Sequence, residues 1–144
     1  MSSLKRVPVV YLAGGMRSNW QNVVKEALRK AQLPVIFIDP REHGCADEQK
    51  YTSWDLEGVR RADIVFAYLE KDNPNGAGLA LEIGFAKALN ESSVAVKKKI
   101  LYVEDAGFQF SRYFGMARVC SDIRKHTLKD GILQLQQLIA EFNL

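Results

Sequence analysis

The sequence has few of the residues that would indicate a disulfide-rich, metal-binding or membrane protein. Its two cysteines, Cys45 and Cys120, are far apart and belong to no Cys-x-x-Cys pattern. Its two histidines form no HxH or HExxH motif, which argues against a metal site. The apolar run at residues 7–13 is too short to span a bilayer and lacks the flanks of a signal peptide. We therefore expect no metal, no cofactor, no membrane association and a reduced, cytoplasmic location.

The sequence also lacks a large excess of positive or negative charge. The chain has 20 Lys and Arg against 17 Asp and Glu, a net charge of +3, which gives no reason to invoke nucleic acid as a partner. One basic run, residues 97–99, is predicted to be a solvated approach to a strand rather than a phosphate-binding patch. With 144 residues, of which 47% are hydrophobic, the chain has the size and composition of one globular domain spanning residues 1–144.

Short aliphatic runs alternate with amphipathic stretches, a pattern typical of a parallel sheet covered by helices on both faces. The predicted strands are Val7–Leu12, Val35–Ile38, Ile64–Leu69, Ile100–Val103 and a weaker fifth at Arg118–Ile123. The predicted helices are Asn19–Ala31, Lys50–Ala62, Gly78–Leu89 and Leu128–Phe142, the last with Thr127 and Asp130 spaced like a capping box. The predicted fold is α/β, a flavodoxin-like or Rossmann-like three-layer sandwich with a five-stranded parallel sheet.

In such a fold, ligands bind beyond the carboxyl ends of the strands. Gly14 and Gly15 follow the first strand and would let the backbone approach a ligand closely, although a plain tight turn explains them as well. Asp39, Arg41 and His43 follow the second strand, and such a histidine is usually only solvated.

Asp55 has an unusual helical phase. It shares a face with Val59 and Ala62, which belong to the core side of the helix, whereas Glu57 and Arg61 lie on the opposite side. One interpretation is structural, an acceptor for backbone N–H groups near the helix start. A functional interpretation requires a partner residue.

Glu82 supplies that partner. Its neighbours three and four positions away are apolar or small, so no Lys or Arg can pair with it locally. Apolar surroundings raise the pKa of a carboxylate, and the positive end of the helix dipole lowers it. The result is a poorly solvated carboxylate that can still ionise near neutral pH, as a nucleophile requires. The alternative is a glutamate bonded to backbone amides in the first helical turns.

Three segments, VVYLAGGM, DLEGVRRADIVFAYL and GLALEIGFAKAL, occur in order between about Val9 and Val103. Together they resemble the nucleoside 2-deoxyribosyltransferase family and its relatives, the 2'-deoxynucleoside 5'-monophosphate N-glycosidases. The resemblance implies that Glu82 attacks the anomeric carbon of the sugar, that Asp55 assists departure and arrival of the base, and that Tyr11 orients the nucleophile.

The resemblance also implies further substrate-binding positions, at Gly14, Gly15, Asp39 and Gly78. Arg112 and Tyr113 occupy positions at which family members contribute residues to the pocket of a neighbouring subunit. This resemblance predicts a homodimer or larger assembly. The alternative is that the two residues lie in a surface loop. Trp20 is either a ring that stacks on the base or an apolar cap on the first helix.

Two positions depart from the family pattern. Ala80 replaces a glycine two residues before the nucleophile, and Gly76 replaces a polar residue that contacts the base or a 5'-phosphate in relatives. Asn73 and Asn75 are the nearby candidates to replace that polar group.

The predicted activity is cleavage or transfer at the N-glycosidic bond of a (deoxy)nucleoside or nucleoside 5'-monophosphate, through a covalent glycosyl-glutamate intermediate. Retention of configuration with two carboxylates fits this chemistry. Two alternatives stay open: a non-catalytic nucleotide-binding sensor module, favoured by Gly76, and an NAD glycohydrolase, which uses a catalytic glutamate in a similar way.

Overall fold

Five parallel strands form one sheet in the computed structural model of the chain, which describes residues 5–92 and 96–144. The strands are β1 (Val9–Gly14), β2 (Ile36–Ile38), β3 (Ile64–Leu69), β4 (Lys99–Glu104) and β5 (Ile123–Lys125). The helices are α1 (Trp20–Lys30), α2 (Glu48–Arg61), α3 (Ala77–Glu91), α4 (Gly115–Cys120) and α5 (Leu128–Glu141). Within the described ranges, no helix is both long and apolar enough to cross a membrane.

Helices cover both faces of the sheet, which confirms the predicted three-layer α/β fold. Residues on β1 alternate between two core clusters: Val10 and Leu12 pack with α1 and α5, whereas Tyr11 and Ala13 pack with α2, α3 and α4. The central strand β3 is buried at all of its positions, because a parallel strand in the middle of a doubly covered sheet meets helices on both sides.

The strand order places a switch point at the carboxyl ends of β1 and β3. The sheet runs β2-β1-β3-β4-β5, so the chain moves to one side of β1 for β2 and to the other side for β3. A crevice opens where the connections leave in opposite directions, and ligands of open α/β sheets bind there. The loops after β1 and β3 are therefore the first place to look for a site.

The four predicted helices differ from the observed ones by two residues at most at either end. Thr127 caps α5, since its hydroxyl accepts a hydrogen bond from the Asp130 amide at 3.0 Å. The predicted fifth strand at Arg118–Ile123 is wrong over most of its length, because Gly115–Cys120 forms α4 and β5 begins at Ile123. The short helix is favoured because it buries Ala117 against the core while Val119 remains 75% exposed.

The basic run at residues 97–99 also differs from its prediction. Lys97 and Lys99 are exposed as expected, but Lys98 is buried. Its ammonium group donates hydrogen bonds to the carbonyl oxygens of Arg60 and Ala62, at 2.7 and 2.9 Å, where α2 ends. The last carbonyls of a helix lack intrahelical partners and attract cations, so tertiary contact draws this lysine out of solvent. Burial lowers its pKa.

Candidate active site

Glu82 lies in the second turn of α3, and its side chain is buried beside the carboxyl end of the sheet, with 9% of the residue exposed. The Tyr11 hydroxyl donates a hydrogen bond to its Oε2 atom. Tyr11 reaches the carboxylate because odd-numbered positions of β1 point toward α3. A strand and a helix that are distant in sequence thus bring together two of the three predicted catalytic residues.

Gly58 on α2 makes room for the tyrosine ring. A Cβ atom at this position would lie 2.9 Å from two carbon atoms of the Tyr11 ring and 3.0 Å from Ile38. Only glycine therefore allows α2 to pack directly against Tyr11. The sequence analysis did not identify this residue, and its signal is a lone glycine on the core face of a helix.

Asp55 enters the same space from α2. Its side chain is half-buried, and its Oδ1 atom is buried without a hydrogen-bond partner among the described residues. Burial raises the pKa of this carboxyl, opposed by the nearby His43 ring. An unpaired polar atom that is already removed from water is available for a substrate.

The cavity that contains Asp55 and Glu82 has a volume of about 200 Å³ and lies at the switch point of the sheet. Its walls come from the end of β1, the loops after β1, β2 and β3, the middle of α2 and the start of α3: Gly14, Gly15, Met16, Pro40, Asp55, Asn73, Asn75, Gly76, Gly78, Leu79 and Glu82. A larger groove of about 820 Å³ runs between β2 and α2. Neither Glu82 nor Asp55 lines that groove, so the smaller cavity is the candidate active site.

The protonation of this site differs from that of ordinary surface carboxylates. Burial raises the pKa of Glu82, the Tyr11 hydrogen bond lowers it and the negative charge of Asp55 raises it, and the net result is a pKa of about 8. Burial and the nearby carboxylates also raise the pKa of Tyr11 strongly. The phenol therefore keeps its proton and acts as a fixed donor to Glu82.

Two asparagines shape the start of α3 at the cavity wall. The Asn73 side-chain oxygen accepts a hydrogen bond from the Asn75 amide at 3.0 Å, and the Asn75 oxygen accepts one from the Ala77 amide at 2.9 Å. Gly76, which lies between Asn75 and Ala77, has a φ of 75°. A Cβ atom there would lie 2.7 Å from Leu69 and 3.0 Å from Phe114, so a side chain at this position would displace its neighbours and strain the backbone.

The remaining predicted substrate-binding residues fall into two groups. Gly14, Gly15 and Gly78 line the cavity. Trp20 does not: it is 2% exposed, packs on Phe66, and donates from Nε1 to the Gly15 carbonyl at 2.9 Å. Of its two interpretations, the structure places the ring as an apolar cap beneath the Gly14–Gly15 turn.

Asp39, Arg112 and Tyr113 lie outside the cavity walls. The Asp39 carboxylate is fully buried and paired with Lys25 and Arg41, so its oxygens are occupied by structural contacts. Arg112 and Tyr113 are exposed in a 3₁₀ turn after β4, where the guanidinium group stacks 4.6 Å from the centroid of the tyrosine ring. Within a single chain these two residues do not contribute to the site.

Comparison with known proteins identifies the family of the chain. Residues 7–100 match the nucleoside 2-deoxyribosyltransferase-like family, a range that includes all three predicted catalytic residues. A segment of 35 residues is 43% identical to the uncharacterized protein YtoQ of Bacillus subtilis (strain 168); the match spans about a quarter of the length of each protein, 24% of both. The family match covers well over half of the sequence, and on this ground the chain belongs to the nucleoside 2-deoxyribosyltransferase-like family.

Proposed function

We propose that the chain cleaves or transfers the N-glycosidic bond of a (deoxy)nucleoside or nucleoside 5'-monophosphate, with Glu82 as the nucleophile. Membership of the family supports glycosyl transfer on nucleosides as the general activity. The observation that carries the finer proposal is the buried Glu82 carboxylate, held by Tyr11 and facing a cavity that also contains Asp55.

In the proposed first step, a Glu82 oxygen bonds to the anomeric carbon of the sugar as the bond from that carbon to the base nitrogen breaks. The electron pair of the broken bond goes to the departing base, and Asp55 supplies the proton that neutralises it. In the second step a nitrogen of another base, which completes a transfer, or the oxygen of water, which completes a hydrolysis, bonds to the anomeric carbon. The ester bond to Glu82 breaks at the same time and releases the carboxylate, and Asp55 takes the proton that the attacking group loses. No cofactor takes part in either step.

This division of roles requires one proton shared between two carboxyl groups. Both pKa values are raised by burial, and the charge of Asp55 further disfavours ionisation of Glu82. The reactive form has Glu82 ionised and Asp55 protonated. The Tyr11 hydrogen bond favours that form, because a donor stabilises the charged state of the carboxylate that accepts it.

We further propose that the active protein is a homodimer or larger assembly, in which Arg112 and Tyr113 approach the cavity of a neighbouring subunit. In support, exposed apolar side chains continue from this turn along α4, where Met116 is 83% exposed, and Leu81 on α3 is 61% exposed. Sedimentation of the wild type and of Met116→Asp tests this: the proposal expects a multimer that the aspartate weakens, and a wild-type monomer at assay concentration contradicts it.

The activity is tested with a panel of deoxynucleosides, ribonucleosides, their 5'-monophosphates and NAD, each incubated with and without a second free base. Chromatography then distinguishes base exchange, which indicates a transferase, from base release, which indicates a hydrolase. Release of nicotinamide from NAD alone would favour the glycohydrolase alternative. Binding without any product would favour the sensor alternative.

The covalent step has its own test. Rapid acid quenching during turnover, followed by mass spectrometry of peptides, should find the mass of the sugar added to the peptide that contains Glu82. The Glu82→Gln protein is the matched control, because it retains the shape of the side chain and cannot form the ester. A sugar adduct on another residue would contradict the assignment of the nucleophile.

A further inference from the structure

The groove between β2 and α2 has the size and the walls of a small-molecule site. Its volume of about 820 Å³ lies in the range of roughly 300–1,000 Å³ that such sites occupy. Apolar side chains line it from both elements: Ile36, Phe37 and Ile38 from β2, and Trp54 from α2. Ile36 is 50% exposed, so the groove leaves apolar surface open to solvent.

Four positions of α2 that line the groove follow one face of the helix. Lys50, Trp54, Gly58 and Arg61 are separated by four, four and three residues, so they form a single stripe. At a rise of about 1.5 Å per residue, the two cations stand about 16 Å apart with the indole between them. The stripe therefore offers an aromatic surface with a positive charge on either side.

The Trp54 indole is held in place by other aromatic rings. It meets the His43 ring edge-on, with centroids 5.4 Å apart, and His43 stacks on Tyr51 at 6.2 Å. The His43 Nδ1 atom accepts a hydrogen bond from the Cys45 amide at 2.8 Å, which fixes the imidazole. Binding to an indole that its neighbours already hold costs less conformational entropy than ordering a mobile side chain.

The acidic side chains of the groove have partners, whereas its two cations do not. Each of the four acidic residues is engaged by a cation or a helix amide: Asp39 by Lys25 and Arg41, Glu42 by Lys25, Glu57 by Arg60, and Asp47 by the Lys50 amide. Among the described residues, no carboxylate pairs with the Lys50 ammonium group or the Arg61 guanidinium group. An anionic group on a ligand would supply the partner that the chain does not provide.

β2 also leaves backbone groups free, because it is an edge strand of the sheet. The Ile36 N–H group donates to the Pro8 carbonyl at 2.9 Å, on the side of β1. Backbone groups alternate in direction along a strand, so the N–H group of Phe37 points away from β1. Since Phe37 lines the groove, this donor is available to an acceptor on a ligand.

The groove is separate from the candidate active site. Its lining includes neither Glu82, Asp55 nor Tyr11. Gly58 lines the groove and also packs on the Tyr11 ring. A ligand in the groove would therefore occupy space that the proposed glycosidic chemistry does not use.

From these observations we propose that the groove between β2 and α2 is a second binding site, and that it takes a small aromatic anion. The ring system of the ligand packs against Trp54 and the apolar side chains of β2, and its anionic group pairs with Lys50 or Arg61. The site goes beyond the function proposed above, because it uses none of the residues to which the proposed mechanism assigns a role.

Two fluorescent probes that share a ring system test the site on the full chain. 8-Anilinonaphthalene-1-sulfonate is an aromatic anion, and N-phenyl-1-naphthylamine lacks only the sulfonate. Fluorescence titration should find one site per chain for the sulfonate, with a dissociation constant in the micromolar range that rises with added salt. Absence of sulfonate binding would overturn the proposal.

Charge-neutral variants locate the anionic group. At least one of Lys50→Gln and Arg61→Gln should weaken binding of the sulfonate by about three- to tenfold and leave binding of the neutral amine unchanged. Lys129→Gln is the matched control, because Lys129 is an exposed lysine on α5 outside the groove, and it should change neither affinity. Unchanged sulfonate binding in both groove variants, or an equal loss in the control, would overturn the proposal.

The aromatic contact has a separate test. Trp54→Leu removes the indole but keeps an apolar side chain, and should weaken both probes by about tenfold, whereas Trp54→Phe should retain most of the affinity. Thermal unfolding of each variant establishes that it is folded. Unchanged binding in Trp54→Leu would place the probes elsewhere on the surface and overturn the proposal.

The outcomes separate this site from the proposed function. Glu82→Gln, which removes the proposed nucleophile, should bind the sulfonate as the wild type does. Loss of sulfonate binding in that variant would place the probe in the cavity around Glu82 and overturn the second site. A wild type that binds the sulfonate in the groove but releases no base would support the second site and contradict the proposed function.

Discussion

Two buried carboxylates, at opposite ends of the sheet, behave in opposite ways. Asp63 stands at the amino end, just before β3, and accepts two hydrogen bonds from the Arg6 guanidinium group and one from the Val9 amide, all at 2.8 Å. Burial alone would raise its pKa, but these donors outweigh burial and lower it. Glu82 stands at the carboxyl end, has a phenol as its described donor, and has a pKa raised to about 8.

The difference shows that burial by itself does not identify a reactive carboxylate. Asp63 and Glu82 are buried to a similar degree, at 6% and 9% exposed. The two carboxylates differ in their hydrogen-bond donors. Asp63 accepts hydrogen bonds from a guanidinium group and a backbone amide, which hold it in its ionised form, whereas Glu82 has one carboxylate oxygen left for a ligand. The first arrangement stabilises the fold, and the second leaves a carboxylate oxygen available, as the proposed nucleophilic role of Glu82 requires.

The largest expected effect is on turnover. Glu82→Gln should reduce kcat by about 10³-fold or more, because the amide cannot form the glycosyl ester. Asp63→Asn, the matched change at the other end of the sheet, should leave most of the activity in place under conditions where the protein is folded. Base-release assays at saturating nucleoside measure both. Substantial turnover in the Glu82 variant would remove the contrast between the two carboxylates.

Asp55→Asn should reduce kcat on an ordinary deoxynucleoside by about 10²-fold, the usual contribution of a general acid. The loss should be much smaller on a deoxynucleoside whose purine is methylated at N7, since that base already carries a positive charge and leaves without a proton. Parallel assays of the wild type and the variant on both substrates measure this. An equal loss on the two substrates would assign Asp55 to binding rather than proton donation.

The two carboxylates should give stability profiles of opposite slope. Below about pH 4.5, Glu82 is protonated in both the folded and the unfolded chain. Between about pH 4.5 and about pH 8, Glu82 ionises in the unfolded chain but keeps its proton in the folded chain. The free energy of unfolding therefore falls as pH rises through this range. Glu82→Gln should remove this decline, on the order of a few kcal/mol. Urea titrations across this range measure it, and a variant that declines in parallel with the wild type would contradict the raised pKa.

Asp63 has the opposite sign, because its folded-state pKa is lowered. Its contribution is present above the unfolded value of 3.8 and is lost as pH falls through the folded value. Asp63→Asn should therefore destabilise the protein near neutral pH, by about 1–3 kcal/mol from the weakened charge-assisted hydrogen bonds, and should have little effect in strong acid. A pH-independent loss would indicate a packing defect instead.

The smallest expected effects come from two glycines on or beside α3. Gly76→Ala should destabilise the protein by about 1–3 kcal/mol, because a Cβ atom there meets Leu69 and Phe114 at a positive φ. Gly84→Ala lies on the exposed side of the same helix with no atom within 4 Å, and should stabilise by about 0.5–1 kcal/mol. Thermal unfolding distinguishes the two. A neutral Gly76 variant would show that the start of α3 is adaptable.

Patterns in the sequence predicted most of the fold. β3 was predicted with its exact ends, and α1, α2, α3 and α5 within two residues. Long periodic segments carry a strong local signal, so their type is readable without tertiary information. The predicted strand at Arg118–Ile123 is wrong over most of its length because the six-residue helix α4 is stabilised by burying Ala117, and burial of this kind is not encoded in local propensity.

Some features of the candidate site could also be predicted from the sequence, and others could not. The helical phase of Asp55 and the apolar neighbours of Glu82 indicated that both carboxylates face inward, and the structure places them in one cavity. Gly58 was missed because its effect depends on the Tyr11 ring, which is 47 positions away in the chain. The catalytic roles of these residues remain predictions.

The sequence by itself determined the alternation of strands and helices and the apolar setting of Glu82, because each is a property of residues close together in the chain. Only the tertiary structure decided that Tyr11 donates to Glu82, that Asp39 is occupied by Lys25 and Arg41, and that no described cation lines the cavity. Such contacts join side chains that are distant in sequence, and their protonation depends on burial and on partners that exist only once the sheet has formed.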